Sequence, residues 1–300
     1  MSTFNFKKEA SLFIVYNQLQ YNIDIQDISF SQTFTENSYS VKTLHNQNMF
    51  EASSISTASP ANFSFTMPML KEPDTSVQLV LNRLIDYATL DLYIVTKETI
   101  FKIENVVFTN GSFGIAKGRL LTIEVSGEGS KLLRVGSFGA YTIPGTPQAR
   151  STTKTFLQSV QQTVEINQVD VSSCVYKLSV ELQNDISWNR YTTVHKGIEV
   201  TDNDTSMYPT NFTVGKRILA GNIGQYLTDT NSSTVQNWNK NTSLRIRVGQ
   251  NIGGTLYGFD FNIPTCSFTN RVNVDSLFTQ EFDWRLTDNS TALSSIITKL

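Results

Sequence analysis

Two histidines, two cysteines and scattered carboxylates are the side chains through which this chain would have to do chemistry. A histidine working as general base needs a nucleophile or carboxylate within hydrogen-bond reach. His45 and His195 stand far apart in the chain, and neither is accompanied by a Gly-x-Ser-x-Gly elbow. Cys174, in Ser172-Ser173-Cys174-Val175, falls inside a strand pattern and reads as a packed thiol. With Cys266 it permits one disulfide at most, and the scatter of Cys and His lacks the short spacings of a zinc site. Gly111-Ser112-Phe113-Gly114 and Gly118 form a glycine-containing turn, but no Gly-Lys-Ser/Thr follows and no helix opens there. Gly127-Glu128-Gly129 puts a carboxylate where a phosphate would be repelled. Glu281 and Asp283 share one strand face at i, i+2, a carboxylate pair of the kind glycosidases use and solvated strands also carry. The residues thus read as a protein without catalytic site, metal or cofactor.

Composition agrees. Hydrophobic residues at 39% are enough to build cores in 300 residues, while charged residues reach only 17% against about 25% in ordinary soluble domains. Ser, Thr, Asn and Gln must therefore cover much of the surface. A net charge of −2 argues against a protein that grips nucleic acid through surplus Lys and Arg. The apolar run Leu12-Phe13-Ile14-Val15-Tyr16 is too short for a signal-peptide core, and nothing approaches a membrane-spanning helix.

The elements that would position these residues are mostly strands, because short alternation dominates. Strands are expected at 23–30, 39–45, 62–67, 90–96, 101–108 and 120–126, then at 174–182, 191–200, 212–219, 244–248, 256–263 and 277–286. One helix stands out. After Pro73-Asp74-Thr75-Ser76, the apolar positions Val77, Val80, Leu81, Leu84, Ile85 and Ala88 form a single stripe, with Gln78, Asn82, Arg83 and Asp86 opposite. A second, poorer helix is expected after Ser232-Ser233-Thr234, carrying Val235 and Trp238.

Glycines and prolines between Gly136 and Arg150 mark the best domain boundary, and splitting the chain there exposes a weak duplication. Phe108-Thr109-Asn110 recurs as Phe268-Thr269-Asn270, preceded by Phe101-Lys102-Ile103-Glu104 against Phe261-Asn262-Ile263-Pro264. Leu121 to Val125 answers to Phe278 to Phe282, Asn62-Phe63 to Asn211-Phe212, and Thr43-Leu44-His45 to Thr193-Val194-His195. The expected organisation is mainly β, with a first domain over 1–140, a linker over 141–165 and a second domain over 166–300.

The order of these elements resembles the tail tube (major tail) proteins of long-tailed bacteriophages. It is carried by Ile25 to Phe30, a polar hairpin, Asn62 to Phe65, the helix, Leu92 to Thr96, Ile103 to Asn110, and the ending Leu286-Thr287-Asp288-Asn289-Ser290-Thr291. The duplication resembles the fused members that carry two tube domains on one chain. That resemblance implies two tandem tail-tube domains, each a β-sandwich or half-barrel flanked by one α-helix. It implies trimeric, pseudo-hexameric rings that stack into a tube and conduct DNA during ejection. The implied partners are further copies of the chain, the tape measure, tail terminator and distal tail proteins, and DNA that transits without specific binding; no membrane is involved. A distal-tail or baseplate hub ring of the same fold is the alternative within this group, and a carbohydrate-processing β-sandwich the alternative outside it. Trp188, Trp238 and Trp284 are too dispersed to form one sugar platform. A DNA channel should be mildly repulsive to phosphates. Asp24, Gln26, Glu104 and Glu124 in the first copy, and Glu181, Asp260, Glu281 and Asp283 in the second, are the candidate lumen-facing residues.

Overall fold

The computed structural model describes residues 7–39, 52–189, 207–228, 242–274, 276–287 and 292–300. After a 3-10 turn at Lys7–Glu9 come β1 (Ser11–Tyr16), β2 (Leu19–Ile23), β3 (Asp27–Ser31), β4 (Phe34–Tyr39), β5 (Ala52–Ala58) and β6 (Ala61–Pro68). Helix α1 (Thr75–Asp86) leads into β7 (Leu90–Val95), β8 (Ile100–Gly114), β9 (Thr122–Gly129) and β10 (Lys131–Gly136). The remainder holds β11 (Thr146–Pro147), β12 (Gln161–Ile166), β13 (Val169–Asp170), β14 (Val175–Asn189), β15 (Asn211–Tyr226), β16 (Thr242–Ile252), β17 (Thr255–Val274), β18 (Phe278–Leu286), α2 (Leu293–Ile296) and β19 (Ile297–Lys299). The fold is mainly β. The expected strand over 39–45, the one over 191–200, the helix after Ser232, and both histidines lie beyond the described residues, Tyr39 excepted.

One pairing scheme occurs twice. In the first set β1 pairs with β2 and β7, β7 with β8, β8 with β10 and β9, β9 with β6, and β6 with β3, all antiparallel. In the second, β12 pairs with β13 and β16, β16 with β17, β17 with β19 and β18, β18 with β15, and β15 with β14. The long strands β8 and β17 occupy the same node in each. Each gives its first half to one sheet and its second half to another.

The two sets begin with the same turn. Asn17-Gln18 and Asn167-Gln168 both adopt positive φ (49° and 62°, 50° and 64°) between strands that pair at once on either side. That is the two-residue, right-twisting hairpin for which asparagine is suited. From these turns the registers carry position onto position, and several equivalents turn out to be complementary exchanges. Phe63 projects over Gly127, where an added Cβ would fall 2.5 Å from its ring. At the equivalent pair the sizes are reversed, and Trp284 covers Gly221 with 2.7 Å for an added Cβ. Likewise Lys102 meets Asp91 at 3.0 Å in the first set, and Arg245 meets Asp260 at 2.6 Å at the corresponding positions of the second.

Helix α1 lies on β8. Asp74 caps it by accepting the Ser76 N–H at 2.8 Å, and Tyr87 ends it in the left-handed region. Val77, Val80, Leu81 and Leu84 are buried and Ile85 half-buried, while the Leu84 methyl groups rest where a Cβ on Gly111 would sit. Arg83, expected on the polar side, is buried as well. Its guanidinium lies 4.0 Å from the Tyr16 ring centre and pairs with Asp86 at 2.7 Å, so its aliphatic stem adds to the core.

The two sets join through β8 and β14, which pair antiparallel from Val180 opposite Phe113 to Gln183 opposite Asn110. One sheet therefore runs β3-β6-β9-β8-β14-β15-β18-β17 across both. Phe113 crosses the junction and packs edge-on against Phe259 and Phe261, at 5.0 and 4.8 Å. Asn184, buried, donates to the carbonyls of Leu84 (2.9 Å) and Phe108 (3.1 Å) and accepts from Arg217 Nε (3.0 Å). Arg217 in turn donates to the Ile85 carbonyl. The unsatisfied carbonyls at the end of α1 are thus capped by side chains from the other set.

Candidate functional surface

The eight-strand sheet has two unlike faces, as strand alternation requires. One is apolar, carrying Ile28, Phe63, Phe65, Phe108, Val125, Val180, Leu182, Phe282 and Trp284, all buried. On the first set this face is covered by α1. The other face carries Ser29, Ser64, Glu124, Ser126, Glu128, Ser179, Glu181, Asn222, Glu281 and Asp283. Ser29 and Ser64 hydroxyls bond each other at 2.8 Å across β3 and β6, and Asn222 donates to Asp283 at 2.6 Å across β15 and β18.

Two shallow concavities of similar size indent this polar face. The first, about 470 Å³, is lined by Ser29, Ser31, Ser64, Ser126 and Glu128. The second, about 460 Å³, is lined by the ladder equivalents of those residues, among them Ser179, Glu181, Asn222, Asp283 and Arg285. Burial pushes the Glu128 carboxyl up. Glu281 is held low chiefly by Arg271, which donates from Nε at 3.0 Å, with Lys177 3.8 Å away. Carboxylates, amides and hydroxyls dominate the face, and two of its cations are spent on Glu281.

Of the eight residues proposed from sequence, four come together here: Glu124 on β9, Glu181 on β14, and Glu281 and Asp283 on β18. Glu124 and Glu281 occupy equivalent ladder positions. The other four are placed elsewhere. Asp24 lies between β2 and β3 and is clamped by Arg150 and by Lys154 at 2.8 Å, which tie the inter-set connection to the first set. Burial works to raise its carboxyl, but hydrogen bonds from Lys154 and Arg150 outweigh this and hold it below the usual carboxylate range. Gln26 sits just before β3, its N–H donating to the Thr66 carbonyl. Glu104 takes Lys102 at 2.9 Å, and Asp260, buried, takes Arg245 in a two-pronged pair on the sheet that β17 enters first. Sequence reasoning missed the Asn184–Arg217 cap and the paired turns. The repeated Asn-Gln dipeptide, each copy placed after an alternating apolar run, was the available signal for the latter.

Among the described residues no three His, Cys, Asp or Glu side chains come close enough to hold a metal ion. Cys174 is exposed at φ 69°, Cys266 is buried with its thiol pushed up to about 12, and the two are not bridged. No described helix is long and apolar enough to cross a membrane. What the geometry offers is a broad two-faced sheet whose bare side is polar.

The sequence of this chain matches the model of the bacteriophage baseplate tube protein family over residues 2–297. The chain belongs to that family. It is a structural protein of the phage tail and baseplate tube, a component of the virion. No curated protein sequence matches it.

Proposed function

We propose that this chain builds a ring of three copies, six-fold in appearance because each copy supplies two equivalent sets of strands, and that DNA passes through the ring during ejection. The observation that carries this reading is the β8–β14 junction. Strand β14 corresponds to β3 and strand β8 to β17 in the duplicated scheme. The outer edge of β3 and the outer edge of the second half of β17 are unpaired among the described residues. The chain therefore makes one such junction internally and holds the two halves of another at its opposite ends. Contacts of that head-to-tail kind close into rings or extend into filaments, and open sheet edges are what most soluble proteins avoid.

In the ring the polar face lines the channel, since α1 covers the opposite face. Acidic side chains outnumber cations on this face, where Arg271 and Lys177 stand against Glu281 and Arg285 is exposed, so DNA bearing one charge per about 1.7 Å meets few cationic footholds. Glu124, Glu181, Glu281 and Asp283 belong to that bore. Membership of a baseplate tube family favours a ring, or a short stack of rings, at the baseplate over the long polymer of a major tail protein. Tape measure, terminator and distal tail proteins are partners of such a stack. Electron microscopy of the purified protein tests the reading. Annular particles with three-fold symmetry and an open bore are expected, whereas monomers at every concentration, or rings with a Lys- and Arg-lined bore, would overturn it.

A further inference from the structure

Beside β3 the first set leaves a groove of about 380 Å³, walled by Ala10, Ile28, Phe30, Ile94 and Phe101. Its counterpart in the second set is full. There the equivalents of Ile28, Phe30, Ile94 and Phe101 are Leu178, Val180, Val248 and Phe259, all buried, and Phe113 from β8 sits among them. Phe30 and Phe101, ring centres 5.3 Å apart, are only half-buried, and no described residue takes the place that Phe113 fills in the second set.

The registers say which residue is the missing plug. Phe113 pairs with Ile123 on β9, and Val272 pairs with Gln280 at the same position on β18. Val272 lies on the apolar side of β17, in alternation with Cys266 and Phe268, yet it is 52% exposed. Size is exchanged across this pair as it is at Phe63/Gly127 and Gly221/Trp284. Inside the chain a large Phe113 stands opposite a small Val180, while at the open edges a small Val272 would stand opposite a large Phe30.

We propose that Val272 of one copy seats in the Phe30–Phe101 groove of the next. Strand β17 then pairs antiparallel with β3 in the register Phe30 opposite Val272, Ser31 opposite Arg271 and Gln32 opposite Asn270. This assignment rests on the ring reading and specifies the contact on which it depends. The occupant is a second copy of the chain, because the in-chain junction supplies the same groove, the same strand direction and the same exchange of volumes.

Register-specific cross-linking tests it. In a Cys174→Ser background, Ser31→Cys with Arg271→Cys should oxidise to covalent trimers on non-reducing gels, while Ser29→Cys with Arg271→Cys, two residues out of register, should remain uncross-linked. Val272→Glu should abolish assembly with unchanged monomer melting, as Val272 is exposed within one chain. Rings visible by microscopy that fail to cross-link at 31 and 271, or cross-link equally at 29 and 271, overturn the register and leave the ring standing. Cross-linked ladders running past three chains support the register and overturn ring closure. Unimpaired assembly of Val272→Glu defeats the seating.

Discussion

At the residue scale, two positions show how the duplicated scheme tolerates unequal occupants. Gln280 is fully buried on the apolar face, and its amide oxygen and nitrogen find no partner among the described residues, whereas Ile123 holds the equivalent place in the first set. A buried, unpaired amide costs about 1–3 kcal/mol. Gln280→Ile should therefore raise stability by about 1 kcal/mol or more, read as an increased denaturation midpoint at unchanged m-value. A lowered midpoint would mean that the amide is satisfied. Asp24 gives a pH signature instead. Its folded carboxyl is held below 3.8, so its contribution is present above that value and is lost as pH falls through the lower, folded value. Acid titration from roughly pH 5 to pH 3 should cost the wild type more stability than Asp24→Asn, and parallel acid limbs would remove Asp24 from the account.

At the element scale, α1 is the best test of how the sets hold together. Leu84 is buried over Gly111, and Leu84→Ala should cost about 2–5 kcal/mol in chemical denaturation. Asn184→Ala removes the donor to two carbonyls and strands the Arg217 contact, and should cost about 1–3 kcal/mol even though it lies on the other set from the helix. A negligible loss there would mean that the helix end is capped from within its own set. Much of this element was legible in the sequence. Apolar spacing fixed the helix, with Asp74 at its start, and alternation located most strands. Arg83 escaped because a charged side chain opposite the apolar stripe reads as solvated until a ring such as Tyr16 is known to lie beside it. The ladder positions show why the repeat was only half readable. Phe108 and Phe268, and Leu121 and Phe278, are equivalent, whereas Phe63 corresponds to Gly221 rather than Phe212, and Phe101 to Phe259 rather than Phe261. Complementary exchanges preserve a contact while erasing the residue identity at both ends. The candidate site suffered likewise: Glu124, Glu181, Glu281 and Asp283 share a face by strand parity, but Asp24 answers to Arg150 and Lys154 and Asp260 to Arg245, cations on other segments that parity does not reveal, while Glu104 answers to Lys102 two residues before it on its own strand.

At the scale of the whole molecule, the β8–β14 junction changes how the proposed ring would be put together. Each association of free bodies forfeits translational and rotational freedom, on the order of 4–15 kcal/mol. Placing two sets of strands on one chain would make half the junctions of a six-position ring before any encounter, at the effective concentration set by the connection between β10 and β12. Nucleation then needs three molecules to meet in place of six, so its onset should vary far less steeply with dilution. The tether also leaves a permanent mark. In the proposed ring, alternate positions around the circumference would carry Glu128 or Arg285 on the polar face, and so differ in sign. A neighbouring protein landing on the rim of such a ring would meet three seats of one kind, each followed by an unlike one, and could therefore read a rotational phase that six identical bodies would never display.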